Sequence, residues 1–195
     1  MISCYFGVIL IRSIKIILTL IDENSLKQVT KFIELNQMSN QLAHALLNVL
    51  NSKPFTANND GDFVVGIIMK PSDILIMTLL AIWKIGAAYL PLDSQFPQNR
   101  IEHILSETKP ILVIHDDDYE RINYLKSVKA VKYGNLKREA INSPPTIISD
   151  DESLTHGKKD AMAIISYTSG STGKPKGVRL SHQIIFQRVH WQLHA

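Results

Sequence analysis

Two kinds of apolar pattern follow one another along the chain. In the first, apolar residues recur every three or four positions, which is typical of a helix with one buried side. In the second, several apolar residues follow directly, which is typical of a strand buried on both faces. Together with Ser, Asp and Pro at helix starts and Gly at a helix stop, these patterns predict helices at 32–50, 72–85, 97–109, 116–126 and 181 onward, and strands at 16–21, 63–69, 87–92, 111–114, 162–166 and 177–180. Because strands alternate with helices, we expect an α/β fold with a largely parallel sheet flanked by helices.

Two segments fall outside this alternation. Residues 135–159 are polar and contain Pro144 and Pro145, so we interpret them as a surface connection. Residues 2–21 are mostly apolar but carry Arg12 and Lys15, and a cation inside a membrane is costly. We therefore favour an apolar lead-in at 1–15 that runs into a core strand. A membrane-attached segment is the alternative.

Composition excludes some classes of protein. The 195 residues are 45% hydrophobic and 20% charged, which is ordinary for a globular domain. A net charge of +3, without a basic tract that contains aromatic residues, argues against a nucleic-acid partner. The single cysteine, Cys4, cannot form an internal disulfide and fits a reducing compartment, so we expect a cytoplasmic protein.

The chemically richest segment is residues 167–178, which follow the apolar run at 162–166. Their sequence is Tyr-Thr-Ser-Gly-Ser-Thr-Gly-Lys-Pro-Lys-Gly-Val. Glycines allow backbone N–H groups to turn toward one point, hydroxyls add further donors, and lysines add positive charge. The segment therefore predicts a loop that binds the phosphates of a ligand.

Other loops of similar composition fit less well. A Walker loop requires Gly, four residues and then Gly-Lys-Ser/Thr, whereas Gly170 and Gly173 are three positions apart and Lys174 precedes Pro175. No Gly-x-Gly-x-x-Gly dinucleotide fingerprint occurs in the sequence. A flexible linker has no need of two lysines around a proline directly after a strand.

A second polar cluster, His115 with the acidic residues that follow it, could suggest a metal site. Acidic residues are also favoured at the start of a helix, where they interact with its dipole. We favour the start of a surface helix at this position over a metal site.

Residues 167–178 resemble the phosphate-loop signature of the adenylate-forming (AMP-binding, ANL) superfamily. Residues 82–93, Ile-Trp-Lys-Ile-Gly-Ala-Ala-Tyr-Leu-Pro-Leu-Asp, are similar to the second core motif of amino-acid adenylation domains, and residues 33–43 to the first. This form of the second motif favours the amino-acid-activating type found in non-ribosomal peptide synthetases. Segments 82–84 and 188–191 look most like insect β-alanyl-amine synthases of the Ebony type. The resemblance implies that 16–195 is the N-terminal portion of an adenylation domain, incomplete at the C-terminus.

The resemblance implies a reaction in two steps. A substrate carboxylate, here that of an amino acid, attacks the α-phosphate of Mg-ATP to give an acyl-adenylate and pyrophosphate; the acyl group then passes to a thiol. In the parent proteins that thiol belongs to a phosphopantetheine carrier. Asp93 and Arg100 are expected to be structural, and His182 is expected either near ATP or as a capping or core histidine. The residues implied to bind ATP are Thr168, Ser169, Gly170, Ser171, Thr172, Gly173, Lys174, Lys176 and His182.

The family's later motifs are expected to lie beyond residue 195. They include the segments that bind adenine, ribose and Mg²⁺, and the lid with its catalytic lysine. We therefore expect an incomplete catalytic set, and these residues alone are expected to make no acyl-adenylate. The alternatives are a fragment of an acyl-CoA ligase and a non-catalytic module that binds a nucleotide or a partner protein.

Overall fold

A computed structural model of the protein describes residues 32–52, 54–116, 128–155, 160–168 and 176–194. Its helices are α1 (Phe32–Asn51), α2 (Asp73–Lys84), α3 (Gln98–Thr108), α4 (Tyr133–Ala140) and α5 (His182–His194). Its strands are β1 (Val64–Ile68), β2 (Ala88–Pro91), β3 (Leu112–His115), β4 (Ala130–Lys132), β5 (Met162–Thr168) and β6 (Lys176–Ser181).

The strands form one sheet in the order β4-β3-β1-β2-β5-β6. The pairs β1–β2, β1–β3, β2–β5 and β3–β4 are parallel, whereas β5 and β6 are antiparallel. The α/β architecture with a largely parallel sheet is therefore confirmed. The carboxyl ends of the parallel strands lie at one edge, which is where open α/β sheets bind their ligands.

Helices cover both faces of the sheet. Val65 and Ile67 of β1 belong to a core shared with α1, α2 and α4, whereas Val64 and Ile68 belong to a second core shared with α3. Successive side chains of a strand point to opposite faces, and every residue of β1 is buried. Burial on both faces explains why this strand is a continuous apolar run in the sequence.

The predicted limits of α2 are confirmed. The side chain of Ser72 accepts a hydrogen bond from the backbone N–H of Leu75 at 3.2 Å, which caps the first turn. The helix ends before Gly86, whose φ of +79° lies in the left-handed region that favours glycine.

Residues 133–140 are a correction to the predicted surface connection at 135–159. They form α4, which buries Leu136 and Ala140 in the core that contains α1. Only two positions of this short helix are buried, so the apolar periodicity that would predict a helix is weak among the surrounding polar residues. The neighbouring strand β4 has only three residues and was not predicted either.

Other predictions lie outside the described residues. These are the lead-in at 1–15, the strand at 16–21, the helix beyond Asp116 and the loop at 169–175. Within the described ranges, no helix has the length and apolar character needed to cross a membrane.

His115 is buried at the end of β3. Its Nδ1 lies 2.9 Å from the backbone carbonyl oxygen of Asp116. In the part of the chain that the structure describes, no cluster of three or more His, Cys, Asp or Glu side chains could hold a metal ion.

Candidate functional site

Strands β5 and β6 form a hairpin that brackets the segment predicted to bind phosphate. Thr168 is the last residue of β5, Lys176 is the first of β6, and the two are paired across the hairpin. Both are exposed. Because β5 runs parallel to β2, the connection leaves the sheet at the carboxyl edge and returns to it there, as a ligand-binding loop of an α/β sheet does. The structure thus brings Thr168 and Lys176 together; residues 169–175 lie between them, outside the described ranges.

The other end of the hairpin is attached to α2 by Trp83. The register of β5 against β6 shifts between Met162 and Ile164, so Ala163 is an additional residue without a counterpart on β6. The indole Nε1–H of the buried Trp83 donates a hydrogen bond to the carbonyl oxygen of Ala163 at 2.7 Å. One side chain of the second core motif therefore holds the strand that precedes the loop.

His182 lies directly after β6 and begins α5. Its backbone N–H donates to the carbonyl oxygen of Ala161 at 3.1 Å, and its ring meets that of Trp83 edge-on with the centroids 5.6 Å apart. Since β6 rises about 3.3 Å per residue, His182 is about 20 Å along the strand from Lys176. The structure does not place His182 beside Thr168 or Lys176, and its ring contact with Trp83 favours the alternative of a core histidine.

Burial lowers the pKa of His182 to about 4. The unfolded chain, with a histidine pKa near 6.5, therefore takes up this proton first as the pH falls, and stability is lost between about pH 6.5 and pH 4. We expect this residue to account for about 3 kcal/mol of the loss. Urea unfolding at pH 7.0, 5.5 and 4.0 measures it.

The control for that prediction is His182→Gln, which has no ring to protonate. The variant should lose less stability than the wild type over the same pH range. Parallel curves for the two proteins would show that His182 is protonated equally in both states, contrary to the prediction.

Tyr167 lies next to Thr168 on β5 and is held by α3. Its hydroxyl donates to Glu107 Oε2 at 2.8 Å, and burial together with this carboxylate raises its pKa. A Cβ atom added at Gly177 would lie 3.1 Å from Cζ of Tyr167, so the absence of a side chain there makes room for the ring. The sequence placed Tyr167 in the signature but contained no signal that Glu107 would meet it.

Arg179 of β6 connects the hairpin to the turn before β1. Its guanidinium forms ion pairs with Asp60 and Asp62. The hydrogen bonds that shape this turn run from the N–H groups of Asp60 and Asp62 to the side chain of Asn58. Sequence reasoning missed this connection, because nothing in the local pattern relates residues so far apart.

The first two core motifs meet at Lys84. Its ammonium group donates to Asn36 Oδ1 at 2.7 Å and to Asn40 Oδ1 at 2.5 Å, which ties α2 to α1. Burial lowers the pKa of Lys84 to about 8. The contact explains why these polar residues lie on faces that are otherwise apolar.

Asp93 and Arg100 occupy the connection from β2 to α3. Asp93 Oδ1 accepts a hydrogen bond from the backbone N–H of Gln95 at 2.8 Å. The guanidinium carbon of Arg100 lies 4.0 Å from the centroid of the Phe96 ring. Both contacts are local, as expected for structural residues.

Comparison with known proteins agrees with this architecture. The family model for AMP-binding enzymes matches residues 20–194. The chain is 42% identical over 163 residues to beta-alanyl-bioamine nonribosomal peptide synthetase ebony of Drosophila melanogaster, covering 84% of this chain and 18% of that protein. It is 32% identical over 166 residues to bacitracin synthase 3 of Bacillus licheniformis, covering 85% of this chain and 2% of that protein.

Solved structures show the same fold. The N-terminal subdomain of NpsA from Klebsiella oxytoca matches with a TM-score of 0.60 and 26% identity, over 81% of this chain and 36% of that one. The o-succinylbenzoate CoA synthetase MenE from Bacillus subtilis matches in fold with a TM-score of 0.67 and 22% identity, over 86% of this chain and 40% of that one. The chain thus spans well under half of these relatives. By its family match, its sheet and its relatives of the non-ribosomal peptide synthetase type, the chain belongs to the AMP-binding enzymes.

Proposed function

We propose that the connection between β5 and β6 binds the β- and γ-phosphates of ATP in a reaction that activates a carboxylate as its adenylate. The observation that carries this proposal is the pairing of Thr168 with Lys176 at the carboxyl edge of the sheet. It places both ends of a Gly-, Ser-, Thr- and Lys-rich segment side by side at the edge where such sheets bind ligands. A segment of this composition can offer backbone N–H groups and hydroxyls to phosphate oxygens.

The chemistry requires stabilisation of a leaving pyrophosphate. When the carboxylate attacks the α-phosphate, negative charge grows on the departing oxygens, and preorganised donors and cations lower the barrier. Lys174 and Lys176 supply the positive charge in this proposal. The hydroxyl and backbone donors are assigned to Thr168, Ser169, Gly170, Ser171, Thr172 and Gly173.

Magnesium is the metal that ATP chemistry of this kind uses, bound largely through the phosphates themselves. The described residues contain no cluster of acidic or histidine side chains that fits a metal ion. No described residue is therefore assigned to Mg²⁺. A contact of His182 with ATP also stays a prediction, and its packing against Trp83 favours a core role instead.

The substrate that we propose is an amino acid. The form of the motif at 82–93 favours it, and the relative from Drosophila is named as a beta-alanyl-bioamine synthetase. In the whole protein the acyl group would pass to a thiol, which in peptide synthetases is a phosphopantetheine carrier. Because this chain covers 18% of that relative, these steps are proposals for the protein as a whole. The domain is proposed to begin near residue 16.

The test is the double variant Lys174→Ala/Lys176→Ala of the 195-residue chain. Two lost charge-assisted contacts should weaken pyrophosphate and ATP binding by about 100-fold. Isothermal titration calorimetry at fixed ionic strength measures both dissociation constants.

The matched control is Lys132→Ala/Lys137→Ala, which removes two exposed lysines near α4 and changes the net charge equally. Its dissociation constants should stay within about twofold of the wild type, because screened surface charges contribute little. If both double variants lost the same affinity for pyrophosphate and ATP, the loss would come from net charge and not from the loop, which would contradict the proposal. One outcome would favour the non-catalytic alternative. In that outcome the wild-type chain binds ATP, but the whole protein shows no amino-acid-dependent ATP–pyrophosphate exchange.

A further inference from the structure

Trp83 of α2 contacts the hairpin that carries the candidate loop. The indole donates its hydrogen bond to β5 at Ala163, and the ring packs against His182 where β6 ends. The same residue therefore contacts β5 and the residue that directly follows β6, at the end of the hairpin opposite the loop.

The contact with β5 falls on a structural irregularity. Ala163 is the additional residue at the register shift, and β5 is paired to β2 only at Ile164. A bulge bends its strand and increases the local twist. The bend at Ala163 thus sets the direction in which the rest of β5, including Thr168, leaves the sheet.

A bulge disrupts the local pairing of the strands, and it is stabilised where its backbone groups find additional hydrogen-bond partners. Ala163 is fully buried, and a hydrogen bond in such a low-dielectric setting is stronger than one in water. The Nε1–H of Trp83 donates to its carbonyl oxygen in addition to the pairing of β5 with β2. Leucine or another aliphatic side chain would fill the same core but could not donate this hydrogen bond, which distinguishes Trp83 from an ordinary core residue.

The contact with His182 lies where β6 passes into α5. His182 follows Ser181, the last residue of β6, and its ring meets Trp83 edge-on, an arrangement favoured between aromatic rings. Trp83 thus links α2 to β5 at Ala163 and to the end of β6 at His182.

We propose that Trp83 is a positioning residue for the phosphate site: by holding the bulge at Ala163 and the ring of His182, it sets the placement of Thr168 and Lys176. The inference rests on the proposed function of the loop. Trp83 touches no ligand in this scheme and acts through the two strands alone.

The experiment compares Trp83→Leu, Trp83→Phe and Leu80→Ala in the 195-residue chain. Leu80 is buried in the same core on the same helix, so its variant reports general loosening of α2. The first measurement, without ligand, is hydrogen exchange of the β5 and β6 amides near Thr168 and Lys176. Trp83→Leu should accelerate this exchange about tenfold relative to Leu80→Ala at matched global stability. Trp83→Phe keeps a ring against His182 and should fall between the wild type and Trp83→Leu.

The second measurement is the dissociation constant for pyrophosphate. Trp83→Leu should weaken binding about fivefold or more, whereas Leu80→Ala should leave it within twofold. Equal exchange in both variants, or faster exchange with unchanged affinity, would overturn the positioning role. If the wild type binds no pyrophosphate, the proposed function of the loop fails; the exchange data then decide separately whether Trp83 fixes the hairpin.

Discussion

Gly86→Ala is expected to lower the free energy of unfolding by about 2–5 kcal/mol. The residue has φ +79°, and an L-residue in this region costs about 1–2 kcal/mol. The new Cβ would lie 2.4 Å from Thr155 Oγ1 and 2.6 Å from Ser153 Oγ, closer than atoms can approach. Because the N–H of Leu154 donates to the carbonyl of Ile85 at 2.9 Å, this segment cannot withdraw freely, and overpacking adds about 1–3 kcal/mol.

Gly61→Ala is the matched control. Gly61 has a similar φ of +77°, but a Cβ there would meet nothing within 4 Å. We expect a loss of about 1–2 kcal/mol from the backbone alone. Urea unfolding of both variants separates the two contributions, and equal losses would show that the contact with 153–155 is not the cause.

Arg179→Met is expected to lower the free energy of unfolding by about 2–4 kcal/mol. The side chain of Asp62 is 4% exposed, and its carboxylate pairs with a guanidinium that is 36% exposed. Removing the cation leaves a buried charge without that partner, which is costly even where the pair itself adds little net stability. The turn that carries Asp62 leads into β1, so the loss should also loosen the hairpin's attachment to the sheet. Chemical unfolding at pH 7 measures the effect.

Two further variants test the reason for that loss. Asp60→Asn removes the other carboxylate, which is 57% exposed, and should cost at most about 1 kcal/mol. Asp62→Asn combined with Arg179→Met should be more stable than Arg179→Met alone, because no buried charge then lacks its cation. A double variant that is equally or less stable would point to lost packing instead.

The sequence predicted most of the fold because the relevant signals are local. Ser72 and Gly86 mark the ends of α2, and consecutive apolar residues mark β1 and β3 as strands buried on both faces. The prediction of a surface connection was wrong at 135–140, which belong to a helix whose sequence is mostly polar and whose buried positions are Leu136 and Ala140. That helix is stabilised by its contact with α1 more than by its own pattern, and a local pattern cannot register such a contact.

The candidate site was predicted in the same local way. Glycines, hydroxyls and lysines between Thr168 and Lys176 identified the loop and the family, and the hairpin places its two ends together. The residues that hold the hairpin could not be found from the sequence. Trp83 and Ala163 are separated by 80 positions, and Arg179 and Asp62 by 117.

By itself, the sequence determined most of the order of helices and strands, apart from β4 and α4, together with the phosphate-loop signature and the family. These follow from the spacing of apolar residues and from the types of residue within a dozen positions, both of which act over one element or one loop. Only the tertiary structure decided which strand is antiparallel, that His182 lies at the far end of β6 from the loop, and that Trp83, Glu107 and Asp62 hold the hairpin. Those contacts depend on how elements pack across the sheet, and the packing is set by the whole core.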